Sequence, residues 1–258
     1  MSKAAHAINS IFGACLLFAA SQVQALVISS TGTSTGSPSQ PTYQAAIAAT
    51  DVGQSFSLEW LVPAGTGSLP VDLTAIVTFS INSFTLDATG NDILSLGITI
   101  ANTTDLSAYP GTNSAILSFG FGVAPNATAS IGASGSVFDT VGTGSGPQQT
   151  FPGSFKQIDV CIFSDGCSGG DVNSGLQAGS SDSLVINLTG DFDQGGSGPG
   201  AVSLLDFPLK FQGTWGSFET PGQTTSVPEP GTLGLLGIAL LGLGMTKRFR
   251  KGAANKQS

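Results

Sequence analysis

From residue 71 to residue 90 the chain reads "VDLTAIVTFSINSFTLDATG", with apolar side chains at every second position: Val71, Leu73, Ala75, Val77, Phe79 and Ile81. Successive side chains of a strand point to opposite faces, so this period of two predicts a half-buried β-strand. "ILSLGITIAN" follows the turn-forming cluster "TGND", which predicts a hairpin. The alternation returns in "AILSFGFGV" (Leu117, Phe119, Phe121, Val123), in "FKQIDVCIF" (Ile158, Val160, Ile162) and in "SLVINLTGDF" (Leu184, Ile186, Leu188). "AVSLLDF" and "LKFQGTW" complete the series, broken at Pro208, and turn-rich gaps such as "TGSGPQQTFPG" and "DQGGSGPG" separate the segments. Roughly eight to ten short strands at this spacing predict an all-β fold, a single antiparallel β-sandwich or jelly roll over residues 26–226. The polar run "SSTGTSTGSPSQPT" before it reads as a flexible leading segment or a sheet edge.

Two stretches break the period. The N-terminal "MSKAAHAINSIFGACLLFAASQVQA" has an early Lys, an apolar run and a small-x-small ending at Val23 and Ala25. These are the parts of a secretory signal peptide over residues 1–25, with signal peptidase cutting between Ala25 and Leu26. "FGAC" has some likeness to a lipoprotein box, but the apolar run continues past Cys15 as "LLFAA", which argues for ordinary cleavage. Near the other end, Gly231 to Met245 is fifteen residues without a charge, about 22 Å as a helix. A bilayer core is about 30 Å thick, so a transmembrane helix over 231–246 is short and needs its flanks. Behind it stand Lys247, Arg248, Arg250 and Lys251, half of all the basic residues in the chain. Such a cluster stops transfer and keeps the C-terminus cytoplasmic, with the acidic domain outside. A short span punctured by glycine suits transient anchoring.

Charge narrows the function classes. Charged residues are 9% of the chain, against about 25% in average usage, and 36 residues are Gly. Between Leu26 and Ser226 there are two lysines, no arginine and fifteen acids, a formal charge of −13. Nucleic acid and anionic lipid require clustered Lys and Arg, so neither is expected as a partner of this span. Loss of the signal peptide would also remove His6, leaving no histidine. Triad catalysis and His-ligated metal chemistry are thereby excluded, and no phosphate-binding glycine motif stands at a strand-to-helix junction. Paired carboxylates can hydrolyse glycosidic bonds, but the span has only Glu59 and Glu219 beside thirteen Asp, and solvated surface acids are the ordinary reading. The expectation is a protein that is not an enzyme.

Three smaller features carry chemistry. Cys161 and Cys167 in "CIFSDGC" are even in number once Cys15 is gone, and Asp165-Gly166 favours a turn that would bring them together across a hairpin. A disulfide is expected, with two free thiols as the alternative; closing seven residues is worth about 2.4 kcal/mol. Asp165, Asp171, Asp191 and Asp193 are candidate calcium ligands, because hard oxygen donors on extracellular loops are what calcium takes. "DFDQGG" begins like an EF-hand loop but departs from it at Gly195 and Val202, and turn-forming, solubilising Asp is the competing reading. Trp60 and Trp215 are either a sugar platform or core. The sequons at Asn102, Asn126 and Asn187 carry no inference in so Thr-rich a chain.

Taken together, Val227-Pro228-Glu229-Pro230, the apolar run and "KRFRK" resemble the PEP-CTERM sorting signal of Gram-negative bacteria. The resemblance covers residues 227–258, about the last tenth of the chain. It implies an exosortase as partner, cleavage near Pro228-Glu229-Pro230, and delivery to the cell surface or the exopolysaccharide matrix of a biofilm. It implies nothing specific about the ectodomain, for which surface glycans or exopolysaccharide are candidate partners. A calcium-dependent or carbohydrate-binding module is the alternative function.

Overall fold

The computed structural model describes residues 26, 28–33, 41–143, 151, 155, 158–193 and 200–224. The expected signal peptide, sorting motif, apolar run 231–246 and basic cluster lie outside them; Leu26, the expected first residue after signal cleavage, is buried in the core. Fifteen strands are formed among the described residues, more than the eight to ten expected. They are β1 (Ile28–Thr33), β2 (Pro41–Ala48), β3 (Ser55–Val62), β4 (Leu73–Leu86), β5 (Asp92–Asn102), β6 (Ser114–Ala124), β7 (Thr128–Ala133) and β8 (Thr140–Thr143). Then follow β9 (Val160–Phe163), β10 (Leu176–Gln177), β11 (Ser181–Gly190), β12 (Ala201–Leu205), β13 (Pro208–Gly213), β14 (Gly216–Pro221) and β15 (Gln223–Thr224). Most of the surplus is short or polar: β10 and β15 have two residues each, and β1 is the edge formed by the start of the polar leading run.

All pairings are antiparallel. One sheet of six strands has the order β15-β3-β4-β5-β11-β7. The other, of nine, runs β1-β2-β12-β6-β13-β14, with β9 and β10 also on β6 and β8 on β9. The two sheets share one hydrophobic core. Phe79 of β4 stacks on Phe56 with centroids 4.8 Å apart and meets Phe121 of β6 edge-on at 6.1 Å, so these rings tie sheet to sheet. The period of two holds along β4 from Leu73 to Ile81, all buried; Val71 precedes the strand and is half-buried. A bulge between Ile81 and Ser83 then shifts the phase, so that Phe84 is the next buried residue.

Two expected faces are corrected. Along β6 a register shift opposite Lys210 and Phe211 puts Ile116, not Leu117, in the shared core with Phe119, Phe121 and Val123. Leu117 is buried elsewhere, under Gly175, whose added Cβ would come 2.5 Å from it. Ile158 likewise leaves the face of Val160 and Ile162: it packs with Phe151 and Cys161 in a separate small cluster.

Between β12 and β13 the chain turns sharply at Asp206 and Phe207, with φ of 67° and 38°. Non-glycine residues adopt such values rarely and at a cost. The bend lets β12 pair with β2 and β13 with β14 while both stay on β6. It also drives Phe207 fully into the core, where its carbonyl accepts hydrogen bonds from Trp60 Nε1 and Gly222 N, each at 2.9 Å. Trp60 is therefore core.

The solvent side of the six-stranded sheet is hydroxyl-rich. Ser57, Thr78, Thr99 and Ser183 are register neighbours across four strands, with Oγ atoms 2.8 Å apart in the first pair and 3.1 Å in the last. Leu61 and Ile76 are the exposed apolar side chains among them.

Candidate functional site

The outer side of the nine-stranded sheet is covered by the chain's own excursion. β9 and β10 lie in the sheet, both paired to β6, and the turn-rich loop between them, residues 164–175, folds over its outer face. Cys161 and Cys167 are joined in a disulfide with Cα atoms 6.0 Å apart. The expected hairpin is not the means: Cys161 is in β9 and Cys167 in the turn beyond it, so the bond staples a loop to a strand. Ser118 of β6 donates to the Cys167 carbonyl at 2.9 Å, and Gln212 of β13 donates to Gly170 O at 3.3 Å. Gly120 makes room for this cover, since a Cβ there would lie 2.2 Å from Val160 O and 2.5 Å from Ile158 Cδ1. Beneath the loop lies Lys210, 5% exposed, whose Nζ donates to Ser217 Oγ at 2.6 Å and Glu219 Oε1 at 3.0 Å. A buried cation demands such partners.

The carboxylates are mostly structural. Glu219 is committed to Lys210, while Glu59 is exposed on β3 of the other sheet, so the two are not brought together as an acid pair. Asp165 Oδ2 accepts from Asp171 N at 2.9 Å, and Asp171 Oδ1 accepts from Asn173 N at 3.0 Å. These two share the excursion loop; Asp191 and Asp193 follow β11, on a different loop. No group of three or more His, Cys, Asp or Glu side chains placed to hold a metal ion occurs among the described residues.

Three other acids matter more, as structural acceptors; of these Asp182 belongs to the acidic stretch from Asp159 to Asp206 that suggested calcium. Asp182, at the start of β11, is 6% exposed and accepts from the N–H groups of Ser136, Val137 and Phe138 and from Ser136 Oγ, at 2.8–2.9 Å. Burial pushes its pKa up, but these bonds outweigh that and leave it below the ordinary carboxylate value. Asp92 performs the same service for the loop after β11, accepting from Phe192 N at 2.8 Å and Gly200 N at 3.3 Å. Asp159 Oδ2 accepts from Val123 N at 2.6 Å, while its buried Oδ1 has no partner among the described residues. Their only sequence signal is that Asp92 and Asp182 fall in phase with the apolar face of a strand.

The two ends of the molecule differ. β15 runs antiparallel to β3, with Gln223 opposite Glu59 and Thr224 opposite Leu58, so the chain leaves toward the Ser55 end of β3. At the Val62 end lie the β3–β4 loop, the β5–β6 loop and the β13–β14 turn. There Tyr109 and Trp215 meet edge-to-face, centroids 5.7 Å apart, and Tyr109 Oη donates to Pro70 O at 3.3 Å. Of the sequons, Asn102 is buried and donates to Ser114 O and Leu176 O, whereas Asn126 is exposed and Asn187 half-buried.

Beyond β15, residues 226–251 match the family described as the PEP-CTERM protein-sorting motif. The match begins one residue before Val227 and ends on Lys251, so it takes in the Pro-Glu-Pro, the apolar run and the whole basic cluster. The chain carries a PEP-CTERM sorting signal. This supports an exported protein whose processing partner is an exosortase. No curated protein and no solved structure matches the chain.

Proposed function

We propose that this is a structural component of the cell surface or of an extracellular exopolysaccharide matrix, exported, held briefly in the membrane and released by an exosortase. The sorting motif at residues 226–251 carries the reading. In it, signal peptidase cuts between Ala25 and Leu26, the run 231–246 anchors the chain, and Lys247, Arg248, Arg250 and Lys251 hold the tail in the cytoplasm until cleavage near Pro228-Glu229-Pro230. The ectodomain is a β-sandwich that acts through its surface and carries no cofactor or catalytic role. The commitment of Asp165 and Asp171 to backbone N–H groups weighs against calcium as a required ligand, and the separation of Glu59 from Glu219 weighs against glycoside hydrolysis.

The test is mass spectrometry of the C-terminal peptide, on protein recovered from the native host's surface and medium. A terminus near Glu229 is expected. An intact terminus at Ser258 would overturn release and make the chain a permanently anchored protein.

A further inference from the structure

We propose that the end of the ectodomain bearing Tyr109 and Trp215 binds an uncharged glycan chain, an inference that rests on the reading of this protein as a surface or matrix component. The chain has two Trp and two Tyr. Trp60 is spent in the core with its indole N–H on Phe207 O. Trp215 is half-buried at the tip of the β13–β14 turn, and its indole N–H has no acceptor among the described residues. Half-buried rings with an apolar body and a polar edge are what wet interfaces use. The C–H face of a pyranose packs on such a ring, while its hydroxyls take hydrogen bonds from the indole N–H and from nearby amides.

The platform is held rigid. Asn113 N donates to Thr214 Oγ1 at 3.0 Å, Thr214 Oγ1 donates to Asn113 Oδ1 at 3.0 Å, and Thr214 N donates to Asn113 O at 3.0 Å. Gly213 permits this closeness, because a Cβ there would stand 2.2 Å from Asn113 O. Thr112 Oγ1 donates to Tyr109 O at 2.6 Å and fixes the other ring's backbone. A preorganised surface loses little freedom on binding. The Asn113 amide N–H groups have no acceptor among the described residues, which leaves them for a ligand.

Charge selects the glycan. Asp72 and Asp105 belong to the loops of this end, and Lys210, the described cation, is buried under the excursion. An anionic polymer is repelled there, and an uncharged one is not. The described residues end at Thr224, running toward the Ser55 end of β3, so the aromatic pair lies at the opposite end from the sorting segment's point of departure.

The protein, expressed with its sorting segment and recovered from the host surface, is to be sedimented with insoluble cellulose and curdlan, and titrated with dextran and mannan, with alginate as the anionic control. Retention or binding on at least one uncharged polysaccharide and none on alginate is expected. Tyr109→Ala is expected to weaken that binding at least about tenfold, in the range of an interface hot spot. Trp215→Phe, which keeps the ring against the core but deletes the N–H, is expected to weaken it about threefold. It should also abolish the ligand-induced change in Trp emission, because the remaining Trp60 is buried. Wild-type protein that binds none of the four, binds alginate equally, or binds undiminished in both variants would overturn the site. So would capture of a protein partner that the same variants lose. Matrix fractionation separates the two readings: variants that lose glycan binding or keep it, yet reach the matrix as wild type does, leave the sorting reading intact. Wild-type protein absent from surface and matrix removes that reading itself.

Discussion

The two sheets are built from similar strands but treat their outer faces differently. The six-stranded sheet shows water a field of Ser and Thr in cross-strand register. The nine-stranded sheet is covered around β6 and β13 by its own lid, the loop of residues 164–175 between β9 and β10, stapled to β9 by Cys161–Cys167. The difference is written in the strands beneath. Along β5 burial alternates strictly from Asp92 to Asn102, and apart from Ile93 the less buried face is polar or small. Along β6 all residues but Ala124 are buried, because both faces are covered. A sheet face with no lid needs polar side chains, and a face with one needs small residues where the lid comes close, as at Gly120.

The contrast is broken most severely at that glycine. Gly120→Ala is expected to cost about 3 kcal/mol in chemical denaturation, since its Cβ would meet backbone. Gly97→Ala, on the open face of the other sheet, is expected to stay within about 0.5 kcal/mol, because its Cβ meets only the end of the exposed Asn82 side chain at 3.2 Å. Equal effects would mean that the lid does not pack as described. Next comes the staple: Cys161→Ser with Cys167→Ser is expected to lower stability by about 2.4 kcal/mol, and to quicken proteolysis between residues 158 and 177 before any cut in β4 or β5.

Asp182→Asn is expected to cost about 2 kcal/mol, since an amide NH2 would face backbone donors in place of an oxygen. With a pKa depressed in the folded protein, Asp182 contributes its stability in full above about pH 4, and loses it as pH falls through the folded value. Asp87, held at about 2 chiefly by the Thr89 hydroxyl and then Asn91 N–H in the β4–β5 turn, acts in the same direction, with its loss between about pH 4 and 2. Asp206, raised by burial, opposes them: its contribution favours the fold at low pH and fades as pH rises through its folded value. The net expectation is a melting temperature that falls below pH 4, less steeply in Asp182→Asn. The smallest effect belongs to the open face, where Thr99→Val is expected to change stability by less than about 0.5 kcal/mol.

In the open sheet β4, β5 and β11 were legible because each has one wet face, and period two is then visible in Leu73 to Ile81 and in Leu184 to Leu188; β3 went unassigned although Phe56, Leu58, Trp60 and Val62 alternate along it, as did the short β7 and β15. The lid was not. Where both faces are buried, periodicity vanishes; Leu117 and Ile158 were assigned to the wrong cover for that reason. The sorting segment was legible because its order of charge, apolar run and Pro-Glu-Pro needs no tertiary contact. Tyr109 and Trp215, 106 positions apart, meet only through the folded loops, and no local pattern announces them.

The Phe207 carbonyl, shared by Trp60 and Gly222, sets a clock. A chain exported from its N-terminus delivers Trp60 early and Phe207 147 residues later, with Gly222 only a few positions ahead of the sorting motif. The core closes as the last of the domain emerges. On the function proposed above, the finishing of the fold and the arrival of the cleavage site would then coincide, and the protein offered to its processing enzyme would have only just become whole.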